Sequence, residues 1–222
     1  ASLAEVVEAA TSWFEEQLNG AAGHQAREYL TGRGLDAATV KRFRLGFAPN
    51  SRDALKSALS KRGIKEEQLV EAGLLKRPEG GGAPFDYFRG RVIFPIRDRL
   101  GRTVGFAGRV LGDEVPKYLN TPETEVFDKG RLLYGLDKAR PAIRERSECL
   151  VVEGYMDVIA LHQTGFPHAV AALGATLTEA QADELSRLDV ERLLLAFDAD
   201  DAGQRAVLSG LDRSEEHTSE LQ

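Results

Sequence analysis

The sequence predicts an α/β protein, in which a mixed α+β N-terminal subdomain is followed by a partial parallel sheet flanked by helices. Three short apolar runs indicate the sheet, at residues 150–152, 168–173 and 193–197. Continuous β-branched or leucine-rich runs of this length are typical of buried parallel strands. The first and last runs each lead into a helical pattern, and this alternation of strand and helix is typical of an α/β sheet.

The N-terminal subdomain opens with an amphipathic helix. Apolar residues recur at helical spacing until Asn19-Gly20 interrupts them: Leu3, Val6, Val7, Ala10, Phe14 and Leu18. Further helices are predicted at 25–30, 37–43, 52–61 and 65–72, and Asp36 is placed to cap the helix at 37–43. Residues 45–49, which contain a glycine and a proline, are interpreted as a break in the pattern.

The centre of the chain predicts a loop and then a β-hairpin. Glycine and proline dominate residues 78–84, which indicates a surface loop. Two strands follow, Arg91–Arg97 and Thr103–Val110, joined by a hairpin-like turn at 98–102. The boundary between subdomains is predicted near Ser147, so residues 1–147 form the first subdomain and residues 148–212 the second.

The composition limits the class of protein. Hydrophobic residues make up 42% and charged residues 29% of the 222 residues, which leads us to expect a cytoplasmic protein. No apolar run has the length of a membrane span, and no signal peptide opens the sequence. The single cysteine, Cys149, excludes an internal disulfide and favours a buried thiol. His162 and His168 lack the spacing of zinc ligands and are interpreted as surface or core residues.

The charge of the chain is unevenly distributed. The net charge is −6, yet residues 85–146 carry 13 Lys and Arg against 9 Asp and Glu, while the remainder carries 16 against 26. A basic centre beside an acidic cluster is compatible with local phosphate contacts. It argues against a protein that holds a long duplex tightly, so we expect weak affinity for nucleic acid.

Acidic residues follow two of the three apolar runs. Glu153 follows the first run, Asp198 and Asp200 follow the last, and Asp157 lies on the first turn of the helix after Glu153. The carboxyl ends of parallel strands form the ligand-binding edge of such sheets, and side chains two apart on an extended segment point the same way. Carboxylates gathered there favour a hard cation, Mg²⁺ or Mn²⁺. Alternatively, the two aspartates cap a helix beginning near Ala202, and Asp157 is only a favourable helix-dipole charge.

These residues resemble the Toprim pattern, a Glu after one strand and Asp-x-Asp after a later one, which topoisomerases, bacterial primases and some nucleases share. Three longer segments resemble the RNA polymerase domain of the bacterial replicative primase. They are Arg-Val-Ile-Phe-Pro-Ile-Arg-Asp at 91–98, Lys-Tyr-Leu-Asn-Thr-Pro-Glu-Thr at 117–124 and Val-Glu-Gly-Tyr-Met-Asp at 152–157. The resemblance runs from about Leu3 to Asp212 and implies that Glu153, Asp198 and Asp200 are catalytic. It also implies that these three carboxylates and Asp157 bind metal.

The resemblance further implies that basic residues line a groove facing the metal site. The candidates for binding nucleic acid or nucleotide are Arg89, Arg91, Arg109, Lys117, Tyr118 and Lys129. Arginine and lysine bind phosphate groups, and Tyr118 can stack on a base. For any one of the basic residues, the alternative is a solvated surface charge.

The activity implied by the resemblance is DNA-dependent RNA synthesis: a DNA primase that makes short RNA primers on a single-stranded template from nucleoside triphosphates. Glu153 then acts as a metal ligand or as a general acid/base, and the sequence leaves both open. Two other functions also remain open. One is another Toprim metal-dependent phosphodiester enzyme, a nuclease or topoisomerase, and the other is a nucleic-acid-binding module without catalysis.

The resemblance also implies segments outside this sequence. A zinc-binding domain is expected before it, and a domain that binds the replicative helicase is expected after it. A further acidic strand is expected beyond Asp200, so we expect the chain by itself to be inactive. Residues 213–222 match no segment of the family and can be encoded by a sequence that resembles a sequencing-library adapter. We therefore expect them to be foreign to the domain.

Overall fold

A computed structural model describes residues 1–197 of the chain, and Asp198, Asp200 and all other residues from 198 to 222 lie outside the described residues. The chain divides into two compact units. The first comprises Ala1–Ile96 with Arg102–Phe127, and the second comprises Arg97–Gly101 with the chain from Asp128 onward. In the described part, no helix is long and apolar enough to cross a membrane.

Helices form the first half of the first unit. They are α1 (Leu3–Asn19), α2 (His24–Gly32), α3 (Ala37–Arg42), α4 (Ala54–Lys61) and α5 (Glu66–Glu71). Each helix predicted in this region is confirmed, with ends shifted by one or two residues at most positions. Asp36 caps α3 as predicted, because its carboxylate accepts a hydrogen bond of 2.8 Å from the backbone N–H of Thr39.

Helix α1 is stabilised by the capping residues at its N-terminus and by the packing of its apolar face. Ser2 and Glu5 make a reciprocal capping box at its N-terminus. The apolar face predicted from the sequence is buried apart from the half-buried Leu3. The ring of Phe14 packs edge-to-face on Phe106 and Phe88, with centroids 5.3 and 6.4 Å apart. These rings connect the first helix to the strands of the same unit.

The first unit contains an antiparallel sheet of strand order β1-β4-β5-β6. Its strands are β1 (Gly46–Ala48), β4 (Arg91–Arg97), β5 (Thr103–Val110) and β6 (Tyr118–Asn120), and a separate pair is formed by β2 (Leu75–Lys76) and β3 (Phe85–Asp86). Strands β4 and β5 have the predicted ends. Residues 45–49 interrupt the helices as predicted, and within them β1 pairs antiparallel with β4 through Phe47 and Val92.

Asp86 connects β3 to α4. Its carboxylate is buried and accepts hydrogen bonds from the backbone N–H groups of Leu55 (2.8 Å) and Lys56 (3.1 Å). A helix N-terminus has unsatisfied N–H groups, and here a residue from a distant strand satisfies two of them. The contact fixes the start of α4 against the strand pair that flanks the glycine-rich loop.

The second unit contains the predicted parallel sheet, with strand order β10-β8-β9-β7. Its elements are β7 (Leu133–Tyr134), α6 (Leu136–Arg146), β8 (Glu148–Val152), α7 (Tyr155–Gln163), β9 (Ala169–Ala172), α8 (Glu179–Ser186) and β10 (Arg192–Ala196). Strand β8 pairs in parallel with both β9 and β10, which confirms the α/β prediction. The short strand β7, which was not predicted, pairs antiparallel with β9.

The contacts place residues 128–147 with the second unit, whereas the sequence predicted a boundary near Ser147. The physical reason is that β7 pairs with β9 and that Ala139 and Ile143 of α6 enter the same core as Val151 and Val170. Gly135, between β7 and α6, has a φ of +82°, and a Cβ there would lie 2.8 Å from Val158 Cγ1. Only glycine fits that close packing without displacing its neighbour.

Candidate active site and nucleic-acid interface

The acidic edge of the second unit begins where β8 and β10 end. Val152 and Ala196 are Cα partners in the parallel ladder and are the last residues of their strands. Glu153 follows Val152 directly and is exposed. Phe197 follows Ala196 and is the last described residue, so Asp198 and Asp200, although next in the chain, lie outside the described residues. The predicted convergence of Glu153 with these aspartates therefore stays a prediction.

Asp157 lies at the same end of β8. It is exposed on the first turn of α7, as predicted, and a Cβ on Gly154 would lie 3.2 Å from its carboxylate oxygen Oδ2. Its carboxylate thus lies against the backbone of Gly154, the residue that joins Glu153 to α7. Asp157 also lines a cavity of about 420 Å³ with Ala196 and Phe197 beside the ends of β8 and β10.

Two exposed carboxylates at one strand end fit part of a ligand set for a hard divalent cation, which prefers oxygen ligands. Among residues 1–197, no three His, Cys, Asp or Glu side chains gather closely enough to hold a metal ion. Glu153 and Asp157 are the predicted ligands within that part of the chain. The other two predicted ligands, Asp198 and Asp200, lie beyond it.

Lys129 lies in the second unit, in a loop held by the start of α8. The backbone carbonyl oxygens of Lys129 and Leu132 accept hydrogen bonds from the side-chain amide of Gln181, at 3.3 and 2.8 Å. The Lys129 side chain passes over Gly174, since its Cε lies 3.7 Å from the position that a Cβ on that glycine would take. Gly174 follows β9, so the side chain of this predicted phosphate-binding residue lies beside the end of a strand in the same sheet as β8, the strand that precedes Glu153.

In the first unit, the predicted residues Arg109 and Tyr118 lie close to Tyr29 and Arg33, which the sequence did not predict. The guanidinium carbon of Arg109 lies 4.7 Å from the ring centroid of Tyr29, a cation–π distance. Burial raises the pKa of Tyr118, and the nearby charge of Tyr29 acts in the same direction, while Arg109 and Arg33 act to lower it. Tyr29 of α2 and Arg33, which directly follows α2, are thus additions to the candidate surface, and no spacing in the sequence connects α2 to β5 or β6.

Arg91 differs from the other basic candidates, because its side chain is buried. Its guanidinium donates hydrogen bonds to the backbone carbonyl oxygens of Gly108 (3.1 Å), Lys117 (3.2 Å) and Pro116 (2.9 Å). Burial lowers its pKa from the ordinary value. The position of Arg91 supports the segment that carries the exposed Lys117. Sequence reasoning assigned Arg91 to a direct contact because a motif does not reveal where the guanidinium points.

Arg89 is exposed and shares an aromatic neighbour with another arginine. Its guanidinium carbon lies 5.4 Å from the ring centroid of Phe85, and that of Arg52 lies 4.2 Å from the same centroid. Arg52 and Phe85 were not among the predicted residues. The two guanidinium groups hold positive charge on one surface of the first unit.

The remaining candidates from the sequence are core residues. Cys149 is buried, and burial raises the pKa of its thiol to about 12, so the thiol is protonated at neutral pH. His162 is buried, with Nε2 2.8 Å from the carbonyl oxygen of Ala169. His168 is buried beside Glu148, with 3.2 Å between its Nε2 and the carboxylate. These positions confirm the interpretation of the thiol as buried, and of the two roles predicted for the histidines, surface or core, they show the core role.

Comparison with known proteins identifies the family. A model of the "DNA primase catalytic core, N-terminal domain" matches residues 13–140, and a "Toprim-like" model matches residues 150–221. The DNA primase of Deinococcus radiodurans is 53% identical over 211 residues, which are 95% of this chain and 36% of that protein.

Solved structures agree with the sequence comparison. The RNA polymerase domain of the Mycobacterium tuberculosis primase superimposes with a TM-score of 0.87 at 36% identity, over 95% of this chain and 70% of that one. A primase catalytic domain solved bound to single-stranded DNA has a TM-score of 0.83 at 41% identity, over 93% of this chain and 64% of that one. The chain spans about a third of the length of the curated relatives that it matches. On the family match, the sequence identity and the shared fold, the chain belongs to the DNA primase catalytic core family.

Proposed function

We propose that this chain is the catalytic region of a DNA primase, a DNA-dependent RNA polymerase that synthesises short RNA primers on single-stranded DNA. The observation that carries the catalytic assignment is the register of β8 and β10, in which Val152 and Ala196 are partners. Adjacent strands lie about 4.8 Å apart. Because Val152 and Ala196 are partners, the two strands end side by side, shortly before Glu153 and Asp198 in the chain. We therefore propose that the carboxylates at these two positions share one cation.

In the proposed site, Glu153, Asp157, Asp198 and Asp200 hold divalent cations, Mg²⁺ or Mn²⁺. Cations held by these carboxylates would supply positive charge against the phosphates of the incoming nucleotide and would favour loss of the proton from the attacking hydroxyl. Glu153 serves as a ligand or as the general base that accepts the proton of the primer 3′-hydroxyl. Exposure of Glu153 leaves its carboxylate accessible to substrate.

The basic residues bind the template and the nucleotide in this proposal. Arg89, Arg109 and Lys117 contact phosphate groups, Lys129 does so beside the acidic edge, and Tyr118 stacks on a base. Arg91 keeps the segment at 116–118 in place through its backbone hydrogen bonds. Each of these residues is proposed to make a local contact with single-stranded DNA.

We propose the remaining assignments on the family resemblance. The resemblance supports a division into residues 1–147 and 148–212, although residues 128–147 pack with the second unit, and it supports residues 213–222 being foreign. The whole protein uses nucleoside triphosphates and binds a replicative helicase in the cytoplasm, at the replisome. Zinc belongs to a separate domain of the whole protein.

Incubation of the whole protein with single-stranded DNA, nucleoside triphosphates and Mg²⁺ or Mn²⁺ tests the proposal. The expected product is new RNA complementary to the template. Cut DNA would instead identify a nuclease or topoisomerase that uses the same acidic edge. Bound but unchanged DNA would identify a binding module.

A further inference from the structure

The loop that carries Lys129 is fixed by the first residues of α8, and these residues have no assigned role in the reaction. Backbone carbonyl oxygens at Lys129, Gly130 and Leu132 all accept hydrogen bonds from two side chains of α8. The donors are the amide of Gln181, to Lys129 and Leu132, and the hydroxyl of Thr178, to Gly130. Gln181 is only 1% exposed, so these bonds do not compete with water.

The same two residues form a reciprocal cap on α8. The Thr178 hydroxyl accepts from the Gln181 backbone N–H at 3.1 Å, and the Gln181 side-chain oxygen accepts from the Thr178 backbone N–H at 2.9 Å. Glutamate makes this cap as well as glutamine does. A carboxylate, however, has no N–H to give to Lys129 and Leu132. The side chain of Gln181 therefore stabilises the loop through its N–H groups in addition to capping the helix through its oxygen.

The loop in turn places the side chain of Lys129. Its Cε lies 3.7 Å from the position of a Cβ on Gly174, two residues beyond the end of β9. Strands β8 and β9 are parallel, and Val152 is the partner of Ala171. The end of β9 is thus the same edge of the sheet as the end of β8, where Glu153 begins. The ammonium group, one bond beyond Cε, lies on this edge.

We propose that Gln181 and Thr178 are positioning residues for Lys129, which they hold where its ammonium group meets a phosphate at the acidic edge. This inference rests on the proposed function, since it takes Lys129 to bind a nucleic-acid phosphate. A flexible lysine loses side-chain entropy when it binds, and a backbone that is already ordered reduces the total cost. Three hydrogen bonds from one helix end supply that order.

A double-variant cycle on this chain tests the proposal, with binding of a fluorescein-labelled single-stranded oligonucleotide measured by anisotropy at several salt concentrations. Lys129→Ala is expected to weaken binding about two- to fivefold, as for one exposed ionic contact. Its log–log salt slope should fall by about 0.7. Gln181→Ala should give the same loss of affinity and of slope, and the double variant should lose no more than either single variant.

Hydrogen exchange of the Gly130 and Arg131 amides supplies a second readout, and Gln181→Ala should accelerate it. Gln181→Glu, which keeps the cap but lacks the amide donors, should accelerate it as well. The matched control is Gln68→Ala, because Gln68 caps the start of α5 in the same way, far from this loop in the sequence. It should lower thermal stability without changing the salt slope.

Three outcomes would overturn the proposal. In the first, Gln181→Ala binds with the affinity and slope of the parent. In the second, the losses of the two single variants add, which would mean that Gln181 acts on the fold as a whole. In the third, Lys129→Ala leaves binding unchanged, which removes the contact that Gln181 is proposed to serve. Primer synthesis by the whole protein would still support the proposed function in all three cases, so failure of this inference is distinguishable from failure of the proposed function.

Discussion

Val152 and Ala196 are partners at the ends of adjacent parallel strands, so the chain turns away from both strands at the same height. Each is followed, directly or after Phe197, by a predicted catalytic carboxylate. Parallel pairing puts both strand ends at one edge of the sheet, whereas antiparallel neighbours would place the two acids at opposite edges. The first prediction follows from this pairing.

Glu153→Gln should abolish primer synthesis by the whole protein while leaving its fold intact. The amide has nearly the same shape as the carboxylate, but it offers no negative charge to a cation and cannot accept a proton. Circular dichroism and primer synthesis at equal protein concentration measure the two effects. Glu179→Gln, on the first turn of α8, is the matched control and should keep activity. Synthesis by Glu153→Gln at the parent's rate would remove this residue from the site.

Asp198→Asn and Asp200→Asn should each weaken binding of Mg²⁺ or Mn²⁺ and should raise the melting temperature of the metal-free protein. Like charges that converge on one site repel one another until a cation binds. Titration calorimetry and thermal unfolding without metal measure both effects. Asp189→Asn is the control, because Asp189 precedes β10 at its other end and its φ of +55° suits asparagine. Unchanged metal affinity in both variants would return the two aspartates to the role of helix caps.

Lys117→Ala and Arg109→Ala should each weaken binding of single-stranded DNA and flatten its salt dependence. Loss of one phosphate contact is expected to reduce the log–log slope by about 0.7 for single strands. Anisotropy titrations at several salt concentrations measure it, and Lys61→Ala at the exposed end of α4 is the control. A slope equal to that of the parent would identify both side chains as solvated surface charges.

Arg91→Lys should lower the stability of the first unit more than it changes the salt slope. The ammonium group cannot reach three carbonyl oxygens in the geometry of a guanidinium, so buried acceptors at Gly108 and Pro116 lose donors. A loss of about 1–3 kcal/mol in the free energy of unfolding is expected. Urea unfolding measures it. A lower slope with unchanged stability would instead show that Arg91 contacts the DNA directly.

Asp86 should make the stability depend on pH. Burial raises the pKa of its carboxyl to about 6 and outweighs the hydrogen bonds from Leu55 and Lys56, which lower it. The folded state therefore binds the proton more tightly than the unfolded state, whose value is near the ordinary ~3.9. This contribution to stability is fully present below about pH 4 and is lost as the pH rises through about 6.

Urea unfolding of the parent and of Asp86→Asn between pH 4 and pH 7 measures that contribution. The asparagine oxygen can still accept from the N–H of Leu55, so the variant should fold. The difference in the free energy of unfolding between the two proteins should change across this range in favour of the variant as the pH rises. A difference that stays constant with pH would show that Asp86 has the same pKa in both states.

The sequence predicted the elements that have a strong periodic pattern. Strands β4 and β5 have the predicted ends because apolar residues fill them and Gly101 interrupts them at the turn. Strand β7 was missed, since two residues are too few to show a period, and its pairing with β9 joins segments far apart in the chain. Tertiary pairing, not local preference, makes these residues extended.

The candidate site was predictable to a similar extent. The strand-end position of Glu153 and the helical position of Asp157 followed from the pattern of apolar runs and from the family resemblance. The roles of Arg91 and Gln181 did not, because each depends on which distant backbone carbonyls the side chain reaches. A polar residue on a helix gives no sign in the sequence that it is 1% exposed.

The packing of Phe14 on Phe106 has a consequence for synthesis on the ribosome. Helix α1 emerges before β5, yet one of the rings that pack on its apolar face belongs to β5. At 5–20 residues per second, the intervening stretch of about ninety residues takes roughly 5–20 s to translate. Throughout that interval the apolar stripe of the nascent helix has no permanent neighbour from β5. It is therefore the stretch of this protein that we expect a ribosome-associated chaperone to shield.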